Sequence, residues 1–314
     1  MDYTKLLHTY SIVAFDSSTQ QIGVAVQTHQ VSVGRMVPFL MPGVGAIATQ
    51  SLVNISYGPV ALAMLQEGIS APDVVAGLIV SDEGRDRRQV AVVDAQGTVG
   101  AYTGSGCIPF AEHHIGEGYS VQANMMTNDT VVSAMSHAYE TTKGNLATRM
   151  MSALFAAQAE DGDIRGQQSA ALYIVDNDRT LPSWDYAYNL RVDESDNPLD
   201  ELQRLVNYQE AKFASREGNQ LLEEGDVDGA LRRWREARDI APDDEELAFW
   251  QGIALADKNP NNHAVSVAAR IIEQAIRDDD RFEHWIELIV RLEKVGLIER
   301  KGAGQELLVE LKQA

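Results

Sequence analysis

Residues 9–14 (TYSIVA) and 22–28 (IGVAVQT) are dense in Val, Ile and Tyr, and Asp16, Ser17, Ser18 and Thr19 separate the two runs. That pattern predicts an antiparallel hairpin. Between 37 and 50, glycines at 43 and 45 lead into Ala-Ile-Ala-Thr, which predicts a turn and a third buried strand. Residues 57–67 and 71–80 carry apolar positions at helical spacing, with Ser70 and Pro72 placed as cap and first turn of the second helix. Strands follow at 89–94 and 98–103 around the turn Ala95-Gln96-Gly97, and again at 119–124. Helices return at 129–142 and 146–160, before strands at 169–175 and 186–192. Strands in neighbouring runs with helices in pairs predict an α+β domain of two stacked antiparallel sheets flanked by helical layers.

The polar stretch 193–200 ends this pattern, and beyond it only helical spacing remains. The reading divides the chain into an extension at 1–8, an α+β domain at 9–195, a linker at 196–207 and an all-α domain at 208–314. In the last, Gly218, Leu221, Gly225, Ala230, Trp234, Ala237 and Pro242 sit where a 34-residue tetratricopeptide repeat wants small residues, an aromatic wedge and a terminal proline. Gly252 and Leu255 lie 34 residues further on. After a four-residue insertion at 259–262, Ala268, Ile272 and Ala275 resume the pattern, and 282–295 starts a half-repeat. Such a short array either packs on a neighbouring domain or pairs with another chain.

Charge narrows the function classes. The 314 residues include 46 acidic and 26 basic side chains, with 10 basic against 22 acidic up to Asp200 and 16 against 24 beyond it. A surface of that sign repels phosphate backbones and anionic lipid, so neither nucleic acid nor membrane is expected as a partner. No apolar run approaches the length of a spanning helix, and the first eight residues lack a secretory pattern. The single cysteine, Cys107, cannot form an internal disulfide, which together with these absences points to a cytoplasmic protein. It reads as a small buried hydrophobe.

No metal or other cofactor is called for. His113 and His114 are adjacent and would diverge on a strand, and the remaining histidines are scattered. Pro42-Gly43-Val44-Gly45 leads into a strand rather than a helix, so it is not a phosphate loop. Gly104-Ser105-Gly106 has residue types suited to backbone N–H donors, but also those of an ordinary hairpin turn. No Gly-x-Ser-x-Gly elbow occurs. What remains is hydroxyl chemistry at Thr9, which opens the first core strand. By alternation Thr9 and Ser11 share one face, lining a cleft or simply packing as strand residues do.

Thr9-Tyr10-Ser11-Ile12-Val13-Ala14, the run Gly23 to His29, Val33-Gly34 and Pro42 to Gln50 resemble, in order, the family called domain of unknown function 1028. Asn54, Tyr57-Gly58, Gln89 to Asp94, Thr103-Gly104, Cys107, Gly116-Glu117-Gly118 and Gly162 to Leu172 extend the match, which covers roughly 9–192. The resemblance implies a likeness to N-terminal-nucleophile hydrolases, whose four-layer αββα sandwich agrees with the element order and whose members cleave amide bonds. It places Thr9 as nucleophile, attacking the carbonyl of a small or peptide-like amide. Asn124 and a backbone N–H near Gly104 would be the oxyanion donors. His29, Gln50, Asn54, Asp163, Arg165, Gln168 and Ser169, with Ser11, are the further candidates for substrate contact, each being polar within an apolar or tightly turning segment. Ala123 and Gln167 depart from the family pattern.

The Thr9 nitrogen would serve as base only after cleavage at His8-Thr9, because an amide has no useful basicity. Class analogy further implies a homo-oligomer. The rival expectation is a non-catalytic binding or assembly protein that recruits a partner, or another copy, through residues 208–314.

Overall fold

The structure, a computed structural model, describes residues 6–7, 9–259, 261–277 and 280–312. The expected extension at 1–8 therefore lies outside the described residues except at Leu6–Leu7. The chain divides into two compact units, 1–206 and 207–314.

The first unit holds eleven strands among the described residues. They are β1 (Leu6–Leu7), β2 (Thr9–Asp16), β3 (Gln21–Thr28), β4 (Pro38–Met41), β5 (Gly45–Leu52), β6 (Arg88–Asp94), β7 (Val99–Thr103), β8 (Glu112–Gly116), β9 (Tyr119–Ala123), β10 (Ser169–Asp176) and β11 (Tyr188–Val192). Two antiparallel sheets result. One runs β1-β5-β6-β7, with β4 also on β5; the other runs β11-β10-β3-β2-β9-β8. The predicted hairpin is the β2–β3 pair, in the register Thr9↔Thr28 to Asp16↔Gln21. Residues 37–50 were expected to give one strand and give two, β4 and β5, because the glycine turn at 42–44 reverses the chain. Strand β8, on the outer edge and largely exposed, has too few apolar residues to be read from its pattern.

Helices α1 (Tyr57–Gln66) and α2 (Ala71–Val80) pack on the first sheet through Tyr57, Ala61, Leu65, Val74 and Leu78. Ser70 occupies the cap position of α2 as expected, yet its hydroxyl donates to Asp73 Oδ2 at 2.6 Å rather than capping the backbone. Helices α3 (Val131–Thr141) and α4 (Leu146–Ala159) pair with each other, and α4 lies on β2 and β3. Contact is close: a Cβ at Gly23 would sit 2.8 Å from Met150 Sδ. Between the sheets, Val13, Ile22, Val24, Val26, Ala46, Ala48, Ala91 and Val93 form a continuous apolar core. Full burial of each of the larger ones contributes about 1.5–3 kcal/mol.

The linker expected at 196–207 is helical for most of its length. Helix α5 (Pro198–Glu223) begins at Pro198, whose fixed φ suits a helix start, and Asp200 and Glu201 favour the same end electrostatically. The second unit continues with α6 (Val227–Ile240), α7 (Glu245–Lys258), α8 (Asn262–Ile276), α9 (Phe282–Lys294) and α10 (Ala303–Leu311). Small residues stand where helices meet: a Cβ on Gly218 would fall 2.3 Å from Trp234 Cδ1, and one on Gly252 2.5 Å from Ile272. Trp234 is fully buried, and its indole N–H reaches Asn219 Oδ1 and the Ser215 carbonyl, both at 3.1 Å. Among the described residues no helix is long and apolar enough to cross a membrane.

Candidate active site

Thr9 is the first residue of β2 and is fully buried. Strand alternation turns Thr9, Ser11, Val13 and Phe15 toward the other sheet, while Tyr10, Ile12 and Ala14 face the helices. The Thr9 hydroxyl donates to Thr28 Oγ1 at 3.4 Å, its partner across the ladder. The Thr9 carbonyl accepts three N–H groups: the Asn124 backbone at 3.1 Å, Asn124 Nδ2 at 3.4 Å and Gln50 Nε2 at 3.2 Å.

From there a polar seam crosses between the sheets. Ser11 Oγ donates to Gln50 Oε1 at 2.6 Å, Gln50 Nε2 to Gln89 Oε1 at 2.7 Å, and Asn124 Nδ2 to the same Gln89 oxygen at 2.9 Å. Gln122 Nε2 donates to Ser11 Oγ at 2.6 Å, and Gln122 Oε1 accepts from Ser120 Oγ at 2.9 Å. Gln89 Nε2 then reaches Thr103 Oγ1 at 2.9 Å, whose hydroxyl meets His113 Nδ1 at 2.8 Å. Burial, and secondarily the neighbouring His114, lowers the His113 pKa and so favours the neutral ring. Ser11, Gln50, Gln89, Gln122 and Asn124 are all fully buried, and the seam supplies the partners that such burial demands.

On the other side of Thr28 stands an ion pair. The Asp163 side chain is fully buried and accepts Arg165 Nε at 3.1 Å and Nη2 at 2.7 Å, the Arg165 backbone at 2.9 Å and the His29 backbone at 3.3 Å. Arg165 Nη2 also lies 3.5 Å from Thr28 Oγ1, so Thr28 links the fork to Thr9. Tyr10, behind this pair, has its pKa raised by burial and by the Asp163 charge. The His29 ring meets the Gln167 carbonyl at 3.1 Å. Gln168 contributes backbone: its N–H reaches the Thr28 carbonyl at 3.0 Å. Ser169 fastens the neighbouring loop by donating to the Gln30 carbonyl and accepting from the Val33 N–H.

Thr9, Ser11, Gln50 and Asn124 thus form one hydrogen-bonded set, and Asp163 and Arg165 adjoin it through Thr28. Asn54 does not join: its side chain accepts from Ser56 N and Oγ and shapes the turn into α1. Gly104 N–H is spent on the Arg88 carbonyl at 2.9 Å, so the donor expected near Gly104 is not that residue's own. Both Asn124 amide hydrogens are likewise engaged, one on Gln89 and one on Thr9. Thr28, Gln89, Gln122 and Thr103 escaped the sequence reading. Their signal was polarity at inward positions of apolar strands, as in VQT at 26–28 and SVQ at 120–122.

Three non-glycine residues in left-handed backbone flank the set: Ser51 (φ 69°), Phe110 (φ 54°) and Met125 (φ 58°). Conformations of this kind cost of order 1–3 kcal/mol and concentrate at functional sites. A cavity of about 170 Å³, lined by Phe110, Ala123, Met126, Val131 and Val132, adjoins Asn124 through Ala123. A larger one of about 550 Å³, lined by Asp16, Tyr119, Tyr139 and Arg149, lies at the far end of β2. Among the described residues no group of three or more His, Cys, Asp or Glu could hold a metal ion.

Fold and site thus define a mixed α+β protein with two antiparallel sheets, a buried threonine at the head of one strand and a separate helical region. The chain belongs to the family of unknown function DUF1028, whose profile matches residues 9–202. It is similar to protein SPO2555 from Silicibacter pomeroyi, a DUF1028 protein with a crystal structure, at 30% identity and a TM-score of 0.58 over 65% of this chain and 89% of that one. A search of curated proteins gives no match.

Proposed function

We propose that the first unit is an amidohydrolase of the N-terminal-nucleophile type, built as a four-layer αββα sandwich, with Thr9 as nucleophile after removal of residues 1–8. The observation that carries this reading is the convergence on one strand-opening residue: its hydroxyl abuts Thr28 and its carbonyl takes three N–H donors. Helix pairs on the two sheets support the layer order. The helical unit is read as tetratricopeptide-like, on the small residues where its helices meet.

Scission at His8-Thr9 would free an α-amino group with a pKa of about 7.7–8, suited to act as base at neutral pH. Oγ1 would attack the amide carbonyl carbon while its proton passes to that amine. The tetrahedral oxyanion would collapse, expelling the leaving amine with the proton and leaving an acyl ester on Thr9. Water would then add to the ester, releasing the acid and restoring the hydroxyl. For Asn124 to donate to the oxyanion, its long 3.4 Å bond to the Thr9 carbonyl would have to be exchanged. The Arg165–Asp163 fork would hold Thr28, and through it the nucleophile, in place.

Intact mass spectrometry of the natively produced protein tests this directly. The expected mass begins at Thr9, and Thr9→Ala should remain full length and lack amidase activity. An uncut chain that still hydrolyses amides would sink the mechanism.

A further inference from the structure

The cavity of about 550 Å³ lies at the opposite end of β2 from Thr9, roughly 23 Å along the strand. Helices α3 and α4 wall it through Tyr139, Glu140 and Arg149, and the end of β2 and the β8–β9 turn through Phe15, Asp16 and Glu117. Its charges are unequally used. Arg149 is committed: Nη1 meets Asp16 Oδ2 at 3.4 Å, Nε donates to the Tyr139 carbonyl at 3.3 Å, and the guanidinium carbon stands 4.1 Å from the Tyr139 ring centroid. Asp16 accepts from Ser18 N and Oγ through its other oxygen. The two glutamates are less engaged. Glu140 Oε1 accepts from the Tyr119 hydroxyl at 2.7 Å, but its second oxygen takes no bond, and Glu117 has no partner, among the described residues.

A buried hydroxyl opens on the same space. Tyr139 is only 1% exposed and lines the cavity, yet its hydroxyl bonds to nothing among the described residues. The ring itself is fixed, by the Arg149 guanidinium and by the Tyr119 ring at 4.5 Å between centroids. Buried polar groups ordinarily have a partner, and here the cavity is where that partner would sit.

We propose that this cavity binds an aliphatic diamine, with one ammonium on Glu140 Oε2 and the Tyr139 hydroxyl and the other on Glu117. Three carboxylates against one guanidinium leave the lining two negative charges, which two ammonium groups cancel. The positive charges must be separate ones, because no three acidic side chains among the described residues come together closely enough to hold a metal ion. An ammonium has three N–H donors and no acceptor, which suits a carboxylate oxygen and a hydroxyl oxygen that are both unspent. The methylenes between its ends would lie along Phe15, and the volume is that of an ordinary small-molecule site. A ligand carboxylate is less well served, since the one cation already faces Asp16. This inference is independent of any chemistry at Thr9.

Isothermal titration calorimetry on the full chain tests it, in about 0.15 M salt, which screens attraction to the acidic surface at large. The probes are 1,4-diaminobutane, 1,5-diaminopentane, 1-aminopentane and 5-aminopentanoate. The tighter diamine should bind about tenfold or more tighter than 1-aminopentane, the share of a second charge-assisted contact, and 5-aminopentanoate should bind more weakly than either diamine. Tyr139→Phe keeps the ring beside Arg149 and loses only the hydroxyl. It should cost about fivefold in diamine affinity without lowering the melting temperature, a split that a merely structural tyrosine would not give. Glu140→Gln and Glu117→Gln should each cost about tenfold. Equal affinity for diamine and monoamine, tighter binding of 5-aminopentanoate, no binding of either diamine, or full affinity in a folded Tyr139→Phe or Glu140→Gln variant would each overturn the assignment.

Discussion

The Ser11 hydroxyl donates to Gln50 Oε1 across 2.6 Å, and the two residues belong to different sheets. Their bond lies at the centre of a seam that no apolar pair could replace without orphaning its neighbours. Gln50→Leu would leave the Thr9 carbonyl, Gln89 and Ser11 each short of a partner. Only the Ser11 hydroxyl loses its acceptor outright, since Asn124 still donates to the Thr9 carbonyl and to Gln89 Oε1, so the cost should be about 1–3 kcal/mol. A lowered urea midpoint at constant slope checks this, and an unchanged midpoint would refute it.

Arg165→Ala strips the cation from a carboxylate whose side chain is fully buried. The expected loss is about 3–5 kcal/mol, as for other broken buried pairs. Adding Asp163→Asn should recover part of it. A double-mutant cycle that comes out additive would show that Arg165 and Asp163 are not coupled.

Acid stability should report Asp82. Hydrogen bonds from Arg88 Nε at 2.8 Å, then from Tyr57 at 2.8 Å and Gly84 N at 2.7 Å, outweigh burial and lower its pKa far below the usual 3.8. A depressed folded pKa gives stability that is complete above the unfolded value and fades as pH falls through the folded one. The stability gap between the native protein and Asp82→Asn should therefore be widest at neutral pH and shrink below about 3.8. Urea titrations along a pH series measure it; a gap independent of pH would show that Asp82 is not the titrating group.

Cys107 should be a slow thiol. Burial raises its pKa against the bonds from Ser51 and Gly104, and its Sγ donates to the Arg88 carbonyl at 3.4 Å. Iodoacetamide at neutral pH should alkylate it several-fold more slowly than free cysteine, whose pKa is about 8.5. Equal rates would show an exposed thiolate instead.

Gly218→Ala should destabilise the helical unit by about 1–3 kcal/mol, because the new methyl falls on Trp234 and the fully buried indole has no room to yield. Differential scanning calorimetry would register the loss. Gly225→Ala meets nothing within 4 Å, but its φ of 87° makes it the comparison for backbone strain alone.

Periodicity made the hairpin at Thr9 to Thr28, the helix pairs and strands such as 89–94 legible, since each alternates or repeats strongly against one buried face. It could not show β8, whose residues are largely exposed, nor the helix through 196–207, where Pro198 starts a helix that a polar composition read as linker. At the site, Thr9, Ser11, Gln50 and Asn124 were visible as polar residues in apolar surroundings. Gln89 and Gln122 carry the same signal, but nothing local says that a glutamine on β6 reaches Asn124 beyond the other sheet's β9, or that one on β9 reaches Ser11. Asn54 stands apart from that set, its side chain bonded to Ser56. Its polarity serves a turn only two residues long.

The seam has a mechanical consequence as well. Sliding one sheet past the other by a single residue, about 3.3 Å, would carry Gln50 and Gln89 out of reach of Ser11, Asn124 and the Thr9 carbonyl together. An apolar interface tolerates such slippage, since one methyl contact substitutes for another; directional bonds do not. The glutamines therefore act as a keyed joint, and whatever happens at Thr9 inherits an alignment fixed by residues on the opposite sheet.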